Sequence, residues 1–135
     1  MERTEKSYDL ACLFAALSDR TRLRLLNLMQ GREVCVCYFV EILRQSQPKV
    51  SRHLAYLRKA GVAKARREGK WMHYTMEWPE DAGAAAILAA TLEALKADGA
   101  MQADRARLER ACSQPQRFVT LKGAPSPARF DAEPA

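Results

Sequence analysis

Cys35 and Cys37, two positions apart, have the greatest chemical potential in this chain. Thiolates are soft ligands suited to As(III), Sb(III), Cd(II) or Zn(II). On a regular helix two such residues point about 200° apart and could not share one ion. Val34 to Val36 is short and β-branched, however, and a helix is expected to begin near Cys37. The pair then stands at a strand-to-helix junction, where the sulfurs can converge. Cys37, near the helix N-terminus, would gain from unpaired N–H groups and the helix dipole, which favour a thiolate. The competing reading is two small buried hydrophobes, since free cysteine packs like one. Cys12 and Cys112 complete a set of four. The N-terminal Met-Glu-Arg-Thr-Glu-Lys lacks the apolar core of a signal peptide, so a cytoplasmic setting with reduced thiols is expected.

A second chemistry lies in Gln47 to Gly61. Ser46 is a good N-cap, Pro48 suits a first turn and Gly61 a stop. Val50, Leu54 and Leu57 form one apolar stripe, while Pro48, Lys49, Arg52, Tyr56 and Lys59 take the opposite side. That outer face is cationic and holds no acidic residue. Such a helix can bury one side and lay the other in a DNA major groove. The plainer reading is an ordinary solvated basic face. The chain as a whole has 22 Lys plus Arg against 16 Asp plus Glu, a net charge of +6, which favours a polyanionic partner.

The elements that must position these groups follow in order. Residues 7 to 17 read as a helix with Leu10, Leu13, Phe14 and Leu17 on one face and Cys12 on the other. Ser18 can cap a nearly all-apolar helix from Asp19 to Gln30, expected to be the central buried one, with Gly31 ending it. The short helix after Cys37, a turn at Gln45-Ser46 and the basic helix make a helix-turn-helix. Val62 to Arg67 and Trp71 to Met76 read as a hairpin around Glu68-Gly-Lys70, a wing whose tip holds Arg66, Arg67 and Lys70. An Ala-rich helix over 80–97 offers a close-packing dimer surface, and Asp98-Gly99 separates it from a charged helix over Gln102 to Cys112. The expected fold is mainly α with a small β-hairpin, a winged helix-turn-helix. The domain takes residues 1–112 with terminal helices for dimerisation, and 113–135, which hold four of the six prolines, are expected to be a disordered tail. No apolar run approaches the ~20 residues of a membrane span, so no membrane partner is expected.

Four stretches resemble the ArsR/SmtB family of winged-helix metalloregulators: Ala16 to Leu26, Glu33-Val-Cys-Val-Cys37, Ser46 to Val62, and Arg66 to Tyr74. The resemblance spans roughly residues 8 to 78. It implies a homodimer, joined through its first and last helices, that represses by binding double-stranded operator DNA and lets go when an inducer binds. It also implies that Cys35 and Cys37 form the thiol metal box. This chain departs from that box, with Tyr38 where Asp is usual and Val40 where one form has a third Cys. A trigonal As(III) site then needs help from Cys112, from Cys12 of a partner chain, or from a small thiol such as glutathione; Cys112 is the preferred candidate. As(III) is the expected inducer, with Sb(III) as a second, and no organic cofactor is implied. The zinc-sensing members use His and acidic residues on the last helix, whereas His53 and His73 both lie elsewhere. Gln47, Lys49, Ser51, Arg52, Tyr56, Arg67 and Lys70 are the DNA-contact candidates.

Rivals remain. A thiol redox or sulfide sensor of the same fold would pair Cys35 or Cys37 with Cys112. A thiol enzyme lacks support, with no Cys-x-x-Cys and no Cys–His pair placed for catalysis, so catalytic residues are not expected. A protein-binding module would put the basic face against an acidic partner rather than DNA.

Overall fold

The computed structural model describes residues 8–117, 121 and 123–129. Asp9 caps helix α1 (Leu10–Leu17), and Asp19, rather than Ser18, caps α2 (Arg20–Met29) by accepting from the Arg22 amide at 3.1 Å. Ser18 instead turns its hydroxyl back to the Ala15 carbonyl at 3.0 Å. Leu25 to Met29 are all buried, so α2 is the central helix its composition predicts. The first helix differs from expectation. Leu13 and Ala16 face the core, half-buried Cys12 packs against it, and Leu10 and Phe14 stand 44% and 52% exposed.

Strand β1 (Arg32–Cys35) begins two residues before the expected strand and ends in the N-cap of α3 (Val36–Leu43). Arg44 then adopts a left-handed conformation (φ 57°), closing α3 where glycine is the usual residue. Helix α4 (Gln47–Lys59) starts on Ser46, whose hydroxyl accepts from the Lys49 amide, and stops at Gly61 with φ 79°. The Gln45 amide donates to the Thr21 hydroxyl at 3.0 Å, tying the turn to α2. Strands β2 (Ala63–Glu68) and β3 (Trp71–Met76) form the wing, with Gly69 supplying the positive φ its turn needs.

Helix α5 (Ala82–Leu95) buries Ala84, Leu88, Leu92 and Leu95. Helix α6 starts at Gly99, earlier than the charge pattern suggests, because Asp98 caps it, and runs to Ser113. It is fastened to α2 by polar groups as well as by Met101 and Leu108. Buried Asp104 accepts two bonds from Arg24, at 2.7 and 3.0 Å, and one from Arg107, while the Asn27 amide donates to the Met101 carbonyl at 2.9 Å. A charged helix thus becomes a core element because its one buried carboxylate is fully paired.

Within the span expected to be a tail, Pro115–Arg117 form a 3-10 turn, Leu121 is buried, and Ala128–Arg129 (β4) pair antiparallel with β1. Disorder is therefore not carried over to these described residues. Residues 118–120, 122 and 130–135 of that span lie outside them. The strand order is β2-β3-β1-β4. No described helix is long and apolar enough to cross a membrane.

Candidate nucleic-acid interface and thiol site

The two faces of α4 separate as the spacing requires. Val50, Leu54 and Leu57 are fully buried, whereas Gln47, Pro48, Lys49, Arg52, Tyr56 and Lys59 are exposed and Ser51 is half-buried. Arg58 and Lys59 in the last turn also complement the helix dipole. Sequence reading missed Arg22. Its guanidinium stacks on the Tyr56 ring, 4.4 Å from the centroid, and is fixed by the Ala15 carbonyl (2.8 Å) and Ala16 carbonyl (3.0 Å). It also meets His53 Nδ1 at 3.1 Å. The same nitrogen lies 3.7 Å from the Asp19 carboxylate, so whether it donates or accepts follows the tautomer. Burial, the strongest influence, holds the His53 pKa below its ordinary value. No signal in a one-dimensional pattern marks Arg22, because it reaches α4 from another helix.

The wing tip divides its cations. Arg67 donates to the Gly69 carbonyl at 3.2 Å, and the Lys70 ammonium sits 5.0 Å from the Trp71 ring centroid. Both are exposed beside the turn. Arg66 does not join them. It makes a bidentate bond with Glu33 of β1, at 2.8 and 2.7 Å.

The thiols meet where strand gives way to helix. Cys35 is the N-cap residue of α3 and Cys37 its second residue, which turns the two sulfurs to within 3.1 Å of each other. A metal bound through ~2.3 Å bonds at a tetrahedral angle holds two sulfurs about 3.8 Å apart, so a small opening of this pair fits it to a shared thiophilic atom. The electrostatics reverse the sequence expectation. Cys35, not Cys37, is the thiolate-prone member, lowered to about 6 by the hydrogen bond from the Cys37 thiol. The Cys37 and Val36 amides and the His73 ring reinforce that shift against the cost of burial. Cys37 is pushed up by the same bond and by burial. Backbone amides at the start of α3 lower both thiols, so the difference between them comes from the hydrogen bond across the 3.1 Å contact.

Cys112, at the end of α6, is not drawn into this pair. Its sulfur accepts from Arg32 Nη1 at 3.1 Å, while Arg32 Nη2 donates to Glu109 at 2.5 Å. Among the described residues no group of three His, Cys, Asp or Glu is arranged to hold a metal ion. Cys12 lies on α1, close enough to Tyr8 to act on its phenol. Buried Tyr38, adjacent to Cys37, has a hydroxyl with no hydrogen-bond partner among the described residues. Ser126 acts on its pKa without meeting hydrogen-bond geometry. His73 is buried with Nε2 2.8 Å from Glu68.

Residues 19–65 match the family model described as bacterial regulatory protein, arsR family. Over 77 residues the chain is 47% identical to the arsenical resistance operon repressor of Escherichia coli K12, covering 56% of this chain and 66% of that one. It therefore spans just under two thirds of that relative's length. Over 75 residues it is 43% identical to the uncharacterized HTH-type transcriptional regulator MJ1325 of Methanocaldococcus jannaschii, covering 55% of this chain and 81% of the relative. Among solved structures it is similar to Rv0081 of M. tuberculosis, with a TM-score of 0.53 and 32% identity over 69% of this chain and 92% of that one.

Proposed function

The chain belongs to the arsR family, whose members are DNA-binding transcriptional regulators rather than enzymes, and from that premise we propose that it is a dimeric repressor that releases its operator when a thiophilic metalloid, As(III) before Sb(III), binds its cysteines. The observation that carries this reading is the 3.1 Å approach of Cys35 and Cys37 at the foot of the helix-turn-helix. Each thiol that binds arsenous acid replaces one hydroxyl, forming an As–S bond and releasing water with no change in oxidation state. A thiolate on Cys35 starts that exchange.

The third ligand is Cys112, which must leave Arg32 to reach the pair. Cys12 of a partner chain and a small thiol are the alternatives. Dimerisation uses the terminal helices. The exposed Leu10 and Phe14 on α1 support this, since apolar side chains so open to water favour a covering surface. On DNA, Gln47, Lys49, Ser51, Arg52 and Tyr56 contact the major groove while Arg67 and Lys70 reach phosphates. Opening Cys35 and Cys37 onto one atom shifts the start of α3, and the inducer acts because it binds that shifted state better.

The test is a DNA-release titration with As(III), Sb(III), Cd(II) and Zn(II) on the parent and on each Cys→Ser variant, using the duplex upstream of its own gene. Arsenite should release the parent, fail on Cys35→Ser and Cys37→Ser, and act weakly on Cys112→Ser. Continued release of Cys35→Ser by arsenite would defeat the reading. Release by peroxide or sulfide in place of arsenite would favour a redox sensor.

A further inference from the structure

An ionic chain runs across the sheet between the thiol pair and the wing. In the antiparallel register Arg66 of β2 stands opposite His73 of β3, and His73 stands opposite Cys35 of β1. Directly opposed residues share one face of a sheet, so Arg66, His73 and Cys35 lie in a single row. Glu33 and Glu68, two places along from Cys35 and Arg66, lie on that face too. The side chains connect accordingly. Glu33 takes both bonds of the Arg66 fork, Glu68 meets His73 Nε2 at 2.8 Å, and Arg66 passes 3.9 Å from Glu68. Strands β1 and β2 are not neighbours, because β3 lies between them. The Glu33–Arg66 bridge therefore spans the central strand and gives the wing a second anchor on β1, beyond the ladder of β3.

An isolated exposed ion pair adds little stability. A bidentate fork adds geometry instead, fixing two planar groups relative to each other. Here the Glu33 side chain is only 18% exposed, and Arg66 holds its carboxyl below the ordinary range. The ladder alone would leave the hairpin free to twist about β3. With both anchors, the wing and β1 move as one body.

We infer that Glu33, Arg66, Glu68 and His73 are positioning residues that make the wing follow β1, so that a ligand opening Cys35 from Cys37 shifts the wing cations as well as α3. This rests on the thiol reading above. Neither the reading helix nor the thiols need this chain in order to bind, so its effect falls on the coupling between them.

The test compares the full-length parent, Glu33→Gln, Arg66→Gln and the charge-swapped pair Glu33→Arg with Arg66→Glu. DNA affinity is measured with and without arsenite, and arsenite binding is followed separately by the ultraviolet absorbance of the As–thiolate bonds. The parent should lose about 5–150-fold in DNA affinity on binding arsenite, the usual range of coupling between two sites. Each single variant should bind arsenite like the parent yet lose about threefold or less in DNA affinity, and the swapped pair should recover most of the coupling. A purely structural role would change stability without changing that ratio and without rescue. A second readout needs no DNA: in a Trp78→Phe background, arsenite should alter Trp71 emission at the wing in the parent and not in Arg66→Gln. Arg66 is half exposed, so Arg66→Gln should fold even where Glu33→Gln does not. Parent-like release in both single variants overturns the coupling and leaves the thiol reading standing. A parent whose DNA affinity arsenite does not change overturns both.

Discussion

Arg52 on α4 and Cys35 at the foot of α3 belong to adjoining halves of one helix-turn-helix, but their surroundings are opposite. Arg52 is open to water on a face where every charged neighbour has the same sign. Cys35 is fully buried, and its ionisation depends on the Cys37 thiol, two amides and the His73 ring across the sheet. Charges of the first kind act nearly independently, each screened by salt and each neutralising a phosphate on its own. Groups of the second kind share one low-dielectric neighbourhood, so removing any one of them changes the others. The reading surface should therefore lose function in increments. The thiol junction should lose it as a unit.

The largest effect expected is on the hidden side of the reading helix. Leu54 is fully buried beneath α4, and Leu54→Ala should cost about 2–5 kcal/mol in denaturant unfolding. Arg52→Ala, two residues away on the outer face, should change stability by about 0.5 kcal/mol or less. Comparable losses from the two would break the division of α4 into a supporting face and a reading face.

Next comes the coupling inside the junction. With Cys37→Ala the hydrogen-bond donor is gone, and the Cys35 thiol should rise from about 6 toward its ordinary 9.0, read from ultraviolet thiolate absorbance. The parent's stability should show the same linkage. Because Cys35 releases its proton earlier in the folded state, the unfolded chain binds more protons between about 6 and 9.0, and stability climbs with pH over that window. Below about 6 that contribution is gone. The variant should lose the climb. An unchanged midpoint would mean that the amides and His73 set the pKa without the neighbouring thiol.

Smaller and more local is the effect of Arg52→Ala on DNA. Binding should weaken by about 1–3 kcal/mol, and the slope of affinity against salt should fall by about one unit if Arg52 neutralises a phosphate. Lys49→Ala should add to it nearly in full. A strongly non-additive pair would make the outer face as cooperative as the junction and erase the distinction.

This contrast also explains what the chain revealed before its structure. The elements of the helix-turn-helix and wing announce themselves through local rules: the Val50, Leu54 and Leu57 spacing, the Ser46 cap and the Gly61 stop each act within a few residues. The cysteine pair was legible for the same reason, being local. Which cysteine is acidic was not, because it turns on which thiol donates across a 3.1 Å contact that exists only once strand and helix meet. The remaining gaps are long-range. The Glu33–Arg66 fork joins residues 33 apart, and the Arg32–Cys112 contact joins residues 80 apart. Leu10 and Phe14 misled because periodicity reports an apolar stripe without saying whether the same chain or another covers it.

The smallest effect concerns a fault that only the buried region has. Tyr38 is fully buried, and its hydroxyl finds no hydrogen-bond partner among the described residues. Burial, followed by the thiols of Cys112, Cys37 and Cys35, keeps that phenol above its ordinary pKa, with Ser126 opposing the shift. A buried polar group left unpaired costs about 1–3 kcal/mol. Tyr38→Phe keeps the buried ring while deleting the orphan, so the variant should be more stable than the parent by about 1 kcal/mol in denaturant unfolding. No deletion on the outer face of α4 offers such a gain, because water satisfies every group there. A Tyr38→Phe protein less stable than its parent would mean that Ser126 or a trapped water bonds the hydroxyl in solution. The junction would then be fully satisfied, and its cooperativity would owe nothing to a group held without a partner.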